Sequence, residues 1–154
     1  MAKSPNPETA REEEFVMPAQ TIWMIRLSLI YFLLSALIGG LLLIHKTMSL
    51  HPALWLLLPL HYEMAIWGWM VQFVMGTAYW MLPRFLKGKI RGPAKPAWWM
   101  FILFNAGLLL LLISFLAPGA NALAPAGRFL MMTAILLFCY LMWNRIASFK
   151  HHGH

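Results

Sequence analysis

The chain has 154 residues, of which 61% are apolar and only 11% are charged, and its mean hydropathy is +0.67. This composition excludes an ordinary soluble domain and predicts an integral membrane protein. The formal net charge is +7, but the basic residues flank apolar segments, so the expected partner is anionic lipid and not nucleic acid.

Four apolar segments are each long enough to cross a hydrocarbon core of about 30 Å at about 1.5 Å per helical residue. A polar stretch over 1–18 precedes them and is expected to be a flexible cytoplasmic tail. A polar His-rich tail, 148–154, follows them. The sequence therefore predicts an all-α, four-helix transmembrane domain over 19–147, with spans at about 22–44, 58–82, 96–116 and 124–143.

The first span carries a small-residue patch at Ser35, Gly39 and Gly40, which is typical of helix packing in membranes. His45 and His51 follow at its outer end. If both histidines fold over the second span, their imidazoles provide possible metal ligands, because neutral imidazole suits iron, copper and zinc. The alternative is that both histidines simply face water.

The second span begins with His61 and Glu63, and ionisable residues inside membrane segments usually carry function. Steps of three or four residues from His61 reach Ala65, Gly68 and Gly76 on one helix face. Small residues on that face would admit either another helix or a flat ring such as a porphyrin. Both interpretations stay open on the residues alone.

Glu63 is the only acidic residue after Glu14. Residues two apart point about 200° apart around a regular helix, so His61 and Glu63 should not chelate one ion unless the helix start is unwound. Pro59 makes some irregularity there plausible. Glu63 could accept a proton, lie near a haem propionate through water, bind a metal, or be an interfacial carboxylate in contact with water.

The basic residues predict the orientation of the bundle. The connection between the second and third spans is strongly basic, whereas the other connections carry only Lys46 and Arg128. Cytoplasmic loops carry the positive excess, so this connection and both termini are expected in the cytoplasm and His61 near the outer face. The residues concerned are Arg84, Lys87, Lys89, Arg91 and Lys95.

The second span resembles a helix of a known enzyme family. His61, then Gly68-Trp69, Gly76, Tyr79 and Pro83-Arg84, resemble the second helix of haem-copper oxidase subunit I, particularly in cbb3-type oxidases and nitric oxide reductases. The chain is still more similar to short four-span, subunit I-like proteins, in which a second histidine usually stands where this chain has Glu63. The resemblance implies one four-helix arc of that subunit.

The resemblance implies a haem b with His61 as an axial ligand and the ring over Ala65 and Gly68. The third and fourth spans lack histidine, so the second ligand would come from His45, His51, a methionine, another polypeptide or a second copy. No further metal is expected. Because most spans of the full oxidase subunit are missing, the chain is not expected to reduce oxygen or nitric oxide alone.

The function expected from this reasoning is electron transfer by cytochrome b, or by the membrane subunit of a respiratory oxidoreductase complex, in the cytoplasmic membrane of a prokaryote. The expected partners are other membrane subunits or a second copy, with a quinol or cytochrome c for electron exchange. The alternatives are a cofactor-free structural or assembly subunit, and a membrane protein that handles metal or protons through His61, Glu63 and the loop histidines.

Overall fold

The computed structural model describes residues 17–85, 94–117, 119, 120 and 122–147, and these ranges contain helices and no strand. We number the α-helices in chain order. The elements are α1 (Ala19–Met48), a 3₁₀ helix (Pro52–Leu57), α2 (Leu58–Glu63), a π-helix (Met64–Val71), α3 (Gln72–Phe85), α4 (Ala94–Leu116) and α5 (Leu123–Ala147). The all-helical prediction is confirmed for this part of the chain.

Three of these helices are long and apolar enough to cross a membrane: α1, Lys95–Leu116 within α4, and Leu123–Trp143 within α5. They indicate a multi-pass membrane protein. The segment predicted as the second span, 58–82, is not a single α-helix, because it changes from α to π to α. We call residues 58–85 the broken helix, and its crossing of the membrane stays a prediction.

The helix boundaries differ from the predicted ones mainly in α1, which is longer at both ends than 22–44. It ends where Ser49 takes a left-handed conformation, with φ of 49°, and donates its N–H to the carbonyl of His45 at 2.8 Å. His45 therefore lies in the last turn of a helix and not in a loop. Residues 1–16 and 148–154, where the tails were predicted, lie outside the described residues.

α1 packs along the broken helix through a regular row of side chains. The spacing alternates between three and four residues, which is the pattern of a helix that buries one continuous stripe. The row is buried except at Ile38, which is partly buried. Its members are Thr21, Met24, Ser28, Tyr31, Ser35, Ile38, Leu42 and His45.

α4 and α5 form the second helix pair, and they meet through backbone atoms. A Cβ placed on Gly127 would lie 2.5 Å from the carbonyl oxygen of Gly107, and a Cβ on Gly107 would lie 2.7 Å from that of Gly127. Glycine is needed at both positions because any side chain would push the helices apart. α4 also contacts α1, α2 and the π-helix, so the two pairs form one bundle.

Candidate functional site

His61 lies at the end of α2 that leads into the π-helix, and its imidazole points at α1. Its Nδ1 is 2.8 Å from the carbonyl oxygen of Ser35 and 3.1 Å from the hydroxyl of the same residue. The Ser35 hydroxyl donates its own hydrogen to the backbone carbonyl of His61 at 2.8 Å. One serine thus holds both the ring and the backbone of the histidine.

This geometry assigns the tautomer of the neutral imidazole. A carbonyl oxygen can only accept, so the proton shared with Ser35 must be on Nδ1. Nε2 then carries a free lone pair, and Ser35 is the only hydrogen-bond partner of this imidazole in the part of the chain that the structure describes. Histidines that ligate metals commonly have this arrangement, in which the non-ligating nitrogen donates to a carbonyl.

Gly39 provides the space that the ring occupies. A Cβ at this position would lie 2.6 Å from Cε1 of His61 and 3.0 Å from its Nδ1. The neighbouring Gly40 has nothing within 4 Å of the same constructed atom. The two glycines of the small-residue patch predicted on α1 therefore differ, because the position of His61 requires Gly39 but not Gly40.

Glu63 binds Arg128, which lies in the second turn of α5. Arg128 Nη1 donates to Glu63 Oε2 at 3.1 Å, and Nη2 donates to Oε1. The side chain of Glu63 is only 7% exposed, whereas that of Arg128 is 47% exposed. Of the roles left open for Glu63, an interfacial carboxylate in contact with water does not agree with this burial, and the paired cation offsets the cost of burying the charge.

His45 and His51, the two histidines nearest the end of α1, have local structural roles. His45 is buried, and its Nδ1 accepts the backbone N–H of His51 at 3.4 Å. His51 in turn caps the 3₁₀ helix by accepting the N–H of Ala53 at 3.2 Å on Nδ1. Both residues therefore use Nδ1 as an acceptor, which puts the proton of the neutral ring on Nε2.

No metal-binding cluster forms among the described residues, since they contain no group of three or more His, Cys, Asp or Glu side chains that could hold an ion. A gathering of His45 and His51 over His61, which the sequence left open, is therefore not observed among these residues. His45 instead lines a pocket of about 230 Å³ together with Lys46, Ser49, Pro52 and Trp55.

The face predicted to admit a flat ring is occupied by α1. A Cβ on Gly68 would lie 2.6 Å from the Tyr31 ring, and one on Gly76 would lie 3.0 Å from Cβ of Met24. Of the two interpretations of this face, helix packing is the one that the structure displays at both glycines. Ala65 is only partly buried.

The π-helix changes which residues of the broken helix lie on its buried face, because it has more residues per turn than an α-helix. Within it, Met64 and Gly68 are buried, and Gln72 follows four residues later as the next buried position. The α-helical steps used for the prediction reached Ala65 in place of Met64. A regular helix was assumed, and nothing in the apolar run 64–71 indicates the change of hydrogen bonding.

Sequence reasoning found His61 but missed the roles of Ser35 and Arg128. Ser35 was assigned to a packing patch, and Arg128 only to the topology. One signal was present for Arg128: it is the only Lys or Arg between Lys95 and Arg145, as Glu63 is the only acid after Glu14. In an apolar bundle, two such isolated opposite charges are expected to pair.

Comparisons with known proteins gave no relative: no family model, curated protein or solved structure matches this chain.

Proposed function

We propose that this protein is a haem-b-binding electron-transfer subunit of a respiratory oxidoreductase complex, in which His61 is an axial ligand. The observation that supports this is the Ser35 carbonyl on Nδ1 of His61 at 2.8 Å. It leaves Nε2 as a free donor of electrons to a metal, as histidine ligands of haem iron require. When bound, a haem would supply one-electron redox chemistry.

The contrast with the other described histidines supports His61 as the ligand. His45 and His51 use Nδ1 as an acceptor, so a neutral ring in either residue has its proton on Nε2. Among the three histidines that the structure describes, only His61 has a neutral ring with an unprotonated Nε2 without a change of hydrogen bonding. Among the described residues, a second axial ligand that needs no change of hydrogen bonding would be a thioether, and the other sources are another polypeptide or a second copy.

The proposed topology has four crossings. The fourth crossing is the broken helix, 58–85, which provides 28 helical residues between α1 and α4. Its orientation is inferred from the basic residues that follow it, since cytoplasmic loops carry the positive excess. With the loop after it in the cytoplasm, both termini are cytoplasmic and His61 lies near the outer face of a prokaryotic cytoplasmic membrane. A haem there would exchange electrons with a partner and not carry them across the whole membrane.

The residues fit a haem in part. His61 fits as a ligand, but the clearance over Gly68 and Gly76 is filled by Tyr31 and Met24. We therefore do not place a porphyrin on that face. Within the proposal, Ser35 and Gly39 orient the imidazole, and Glu63 with Arg128 provides a neutral, ion-paired neighbour for the site.

The same two filled positions favour a second candidate, a cofactor-free docking subunit of a respiratory complex. In that case His61 is a polar contact between α1 and α2, similar to the hydrogen-bonded side chains that join other membrane helices. Ser35 would then hold His61 for packing alone. The third alternative, metal or proton handling by Glu63, has less support because Arg128 occupies both carboxylate oxygens.

A reduced-minus-oxidised visible spectrum of the gently solubilised protein separates these functions. Haem b predicts sharp α and Soret bands, with a pyridine haemochrome assay giving about one haem for each chain or each pair of chains. His61→Ala should abolish the bands, and the matched variant His45→Ala should retain them. A preparation that keeps its native membrane partners but is colourless would exclude the haem and leave the docking subunit.

A further inference from the structure

We propose that the Glu63–Arg128 ion pair positions His61 by fixing the rotation of α2 about its own axis. His61 and Glu63 both lie in α2, a six-residue helix, and one residue separates them. Their side chains therefore leave α2 in nearly opposite directions. His61 reaches α1 at Ser35, and Glu63 reaches α5 at Arg128.

These two contacts hold α2 from both sides, and the contact between Glu63 and Arg128 also joins the two helix pairs. Ser35 bonds both the ring and the backbone carbonyl of His61, while Arg128 bonds both oxygens of Glu63. A rotation of α2 by a few tens of degrees would move both groups from their partners. The imidazole thus keeps its place only while both contacts are made.

The hydrogen bonding of the neighbouring elements gives α2 little resistance to rotation. A 3₁₀ helix precedes it and the π-helix Met64–Val71 follows it. The 3₁₀ helix has poorer hydrogen-bond geometry than an α-helix, and π segments are rare insertions in the α pattern. Rotation of α2 can therefore be absorbed in the first turn of the π-helix, before Gly68, which packs on Tyr31, and without moving α3.

Loss of Arg128 supplies a driving force for this rotation. Glu63 would remain 7% exposed with no cation to compensate its charge, a costly state in an apolar bundle. Turning α2 would bring the carboxylate toward water, and the same turn would carry His61 away from Ser35 and Gly39. Arg128 acts on the imidazole through Glu63 and is thus a positioning residue.

This inference concerns the same histidine as the proposed function but does not depend on a haem being bound. The imidazole can be followed directly by exchange of its Cε1 hydrogen for deuterium, measured by mass spectrometry for each histidine. In the native protein this atom is covered by Gly39. An absent haem would appear in the visible spectrum, whereas a wrong positioning role would appear in the exchange rate.

The experiment uses the full chain in nanodiscs with its haem content recorded, and compares the native protein with Arg128→Gln. We expect exchange at His61 to rise about fivefold or more, as for the loss of one modest local interaction. Exchange at the buried His45 should not change, since His45 contacts His51 and Trp55. A parallel rise at His45 would indicate general loosening and overturn the positioning role.

Two further variants test the cause. Arg128→Lys retains the positive charge but not the contact with both carboxylate oxygens, so exchange at His61 should lie between the native rate and that of Arg128→Gln. Adding Glu63→Gln to Arg128→Gln removes the uncompensated charge and should return exchange at His61 toward the native value. Unchanged exchange in Arg128→Gln, or no recovery in the double variant, would overturn the proposal.

Discussion

The two helix pairs are built from different kinds of contact. α1 and the broken helix are joined by polar side chains that cross between them, from Ser35 to His61 and from Gln72 to the carbonyl of Met24 at 3.3 Å. Between α4 and α5, the closest approach is between the backbones at Gly107 and Gly127. A pair held by directional side chains can present a chemical group, whereas a pair held by backbone proximity mainly provides support.

Among the described residues of the second pair, most side-chain hydrogen bonds stay within one helix and do not join α4 to α5. Asn105, Ser114 and Thr133 each bond a carbonyl of their own helix, three or four residues earlier. Arg128 differs, because it bonds Glu63 on the other pair. The supporting pair thus contributes one charged group to the region of His61, and this group joins the two halves of the bundle.

The largest effect is expected from adding one carbon atom between α4 and α5. Gly127→Ala would put Cβ 2.5 Å from the carbonyl oxygen of Gly107 and 2.9 Å from the backbone N of Leu111. Backbone atoms cannot swing aside, so we expect a loss of about 2–3 kcal/mol, at the upper end for overpacking. Thermal unfolding in detergent, followed by circular dichroism, measures the change.

Gly40→Ala is the matched control because it makes the same chemical change in α1, where nothing lies within 4 Å. It should be neutral or stabilising by about 0.5 kcal/mol, because alanine is the better helix former. Equal stability of the two variants would show that α4 and α5 do not depend on backbone contact, and the contrast between the pairs would fail.

The next effect concerns the site. In Gly39→Ala the new Cβ would lie 2.6 Å from Cε1 of His61. The imidazole can swing, so we expect a loss of only about 1 kcal/mol, the lower end for overpacking. The Nδ1 bond to Ser35 should break, which a change in the ¹⁵N chemical shifts of the imidazole would reveal. Gly40→Ala should leave those shifts unchanged. Unchanged ¹⁵N shifts in Gly39→Ala would contradict the placement of the His61 ring against Gly39.

The helical architecture could be predicted because apolar run length is a strong signal in membranes. α4 and α5 begin and end within about two to four residues of the predicted spans. The change from α to π in the broken helix could not be predicted. It depends on whether each N–H bonds the carbonyl four or five residues earlier, and residues such as Met64 and Ile66 favour neither pattern strongly.

The site could be predicted only where one residue carried the signal. His61 stands out because an imidazole is rare in an apolar helix, and Glu63 stands out for the same reason. Their partners are common residue types, separated by 26 positions for Ser35 and by 65 for Arg128. Pairing over such distances is set by how the helices pack, and one sequence does not contain that information.

The smallest effect should separate two buried amides of similar chemistry. Gln72 donates across the pair to Met24, whereas Asn105 donates to Phe101 of its own helix at 2.9 Å. Each has a side-chain oxygen without a partner among the described residues. Gln72→Leu should cost about 0.6 kcal/mol, the average for a bond between membrane helices, and Asn105→Leu should cost close to nothing.

Thermal unfolding of both variants in the same detergent makes this comparison directly. Leucine replaces each amide with an apolar side chain that membrane helices favour, so any cost reports the bond that was lost. A cost for Asn105→Leu equal to that for Gln72→Leu would mean that α4 also relies on polar contacts. The two helix pairs would then differ only in the backbone contact between Gly107 and Gly127, and no longer in their use of polar side chains.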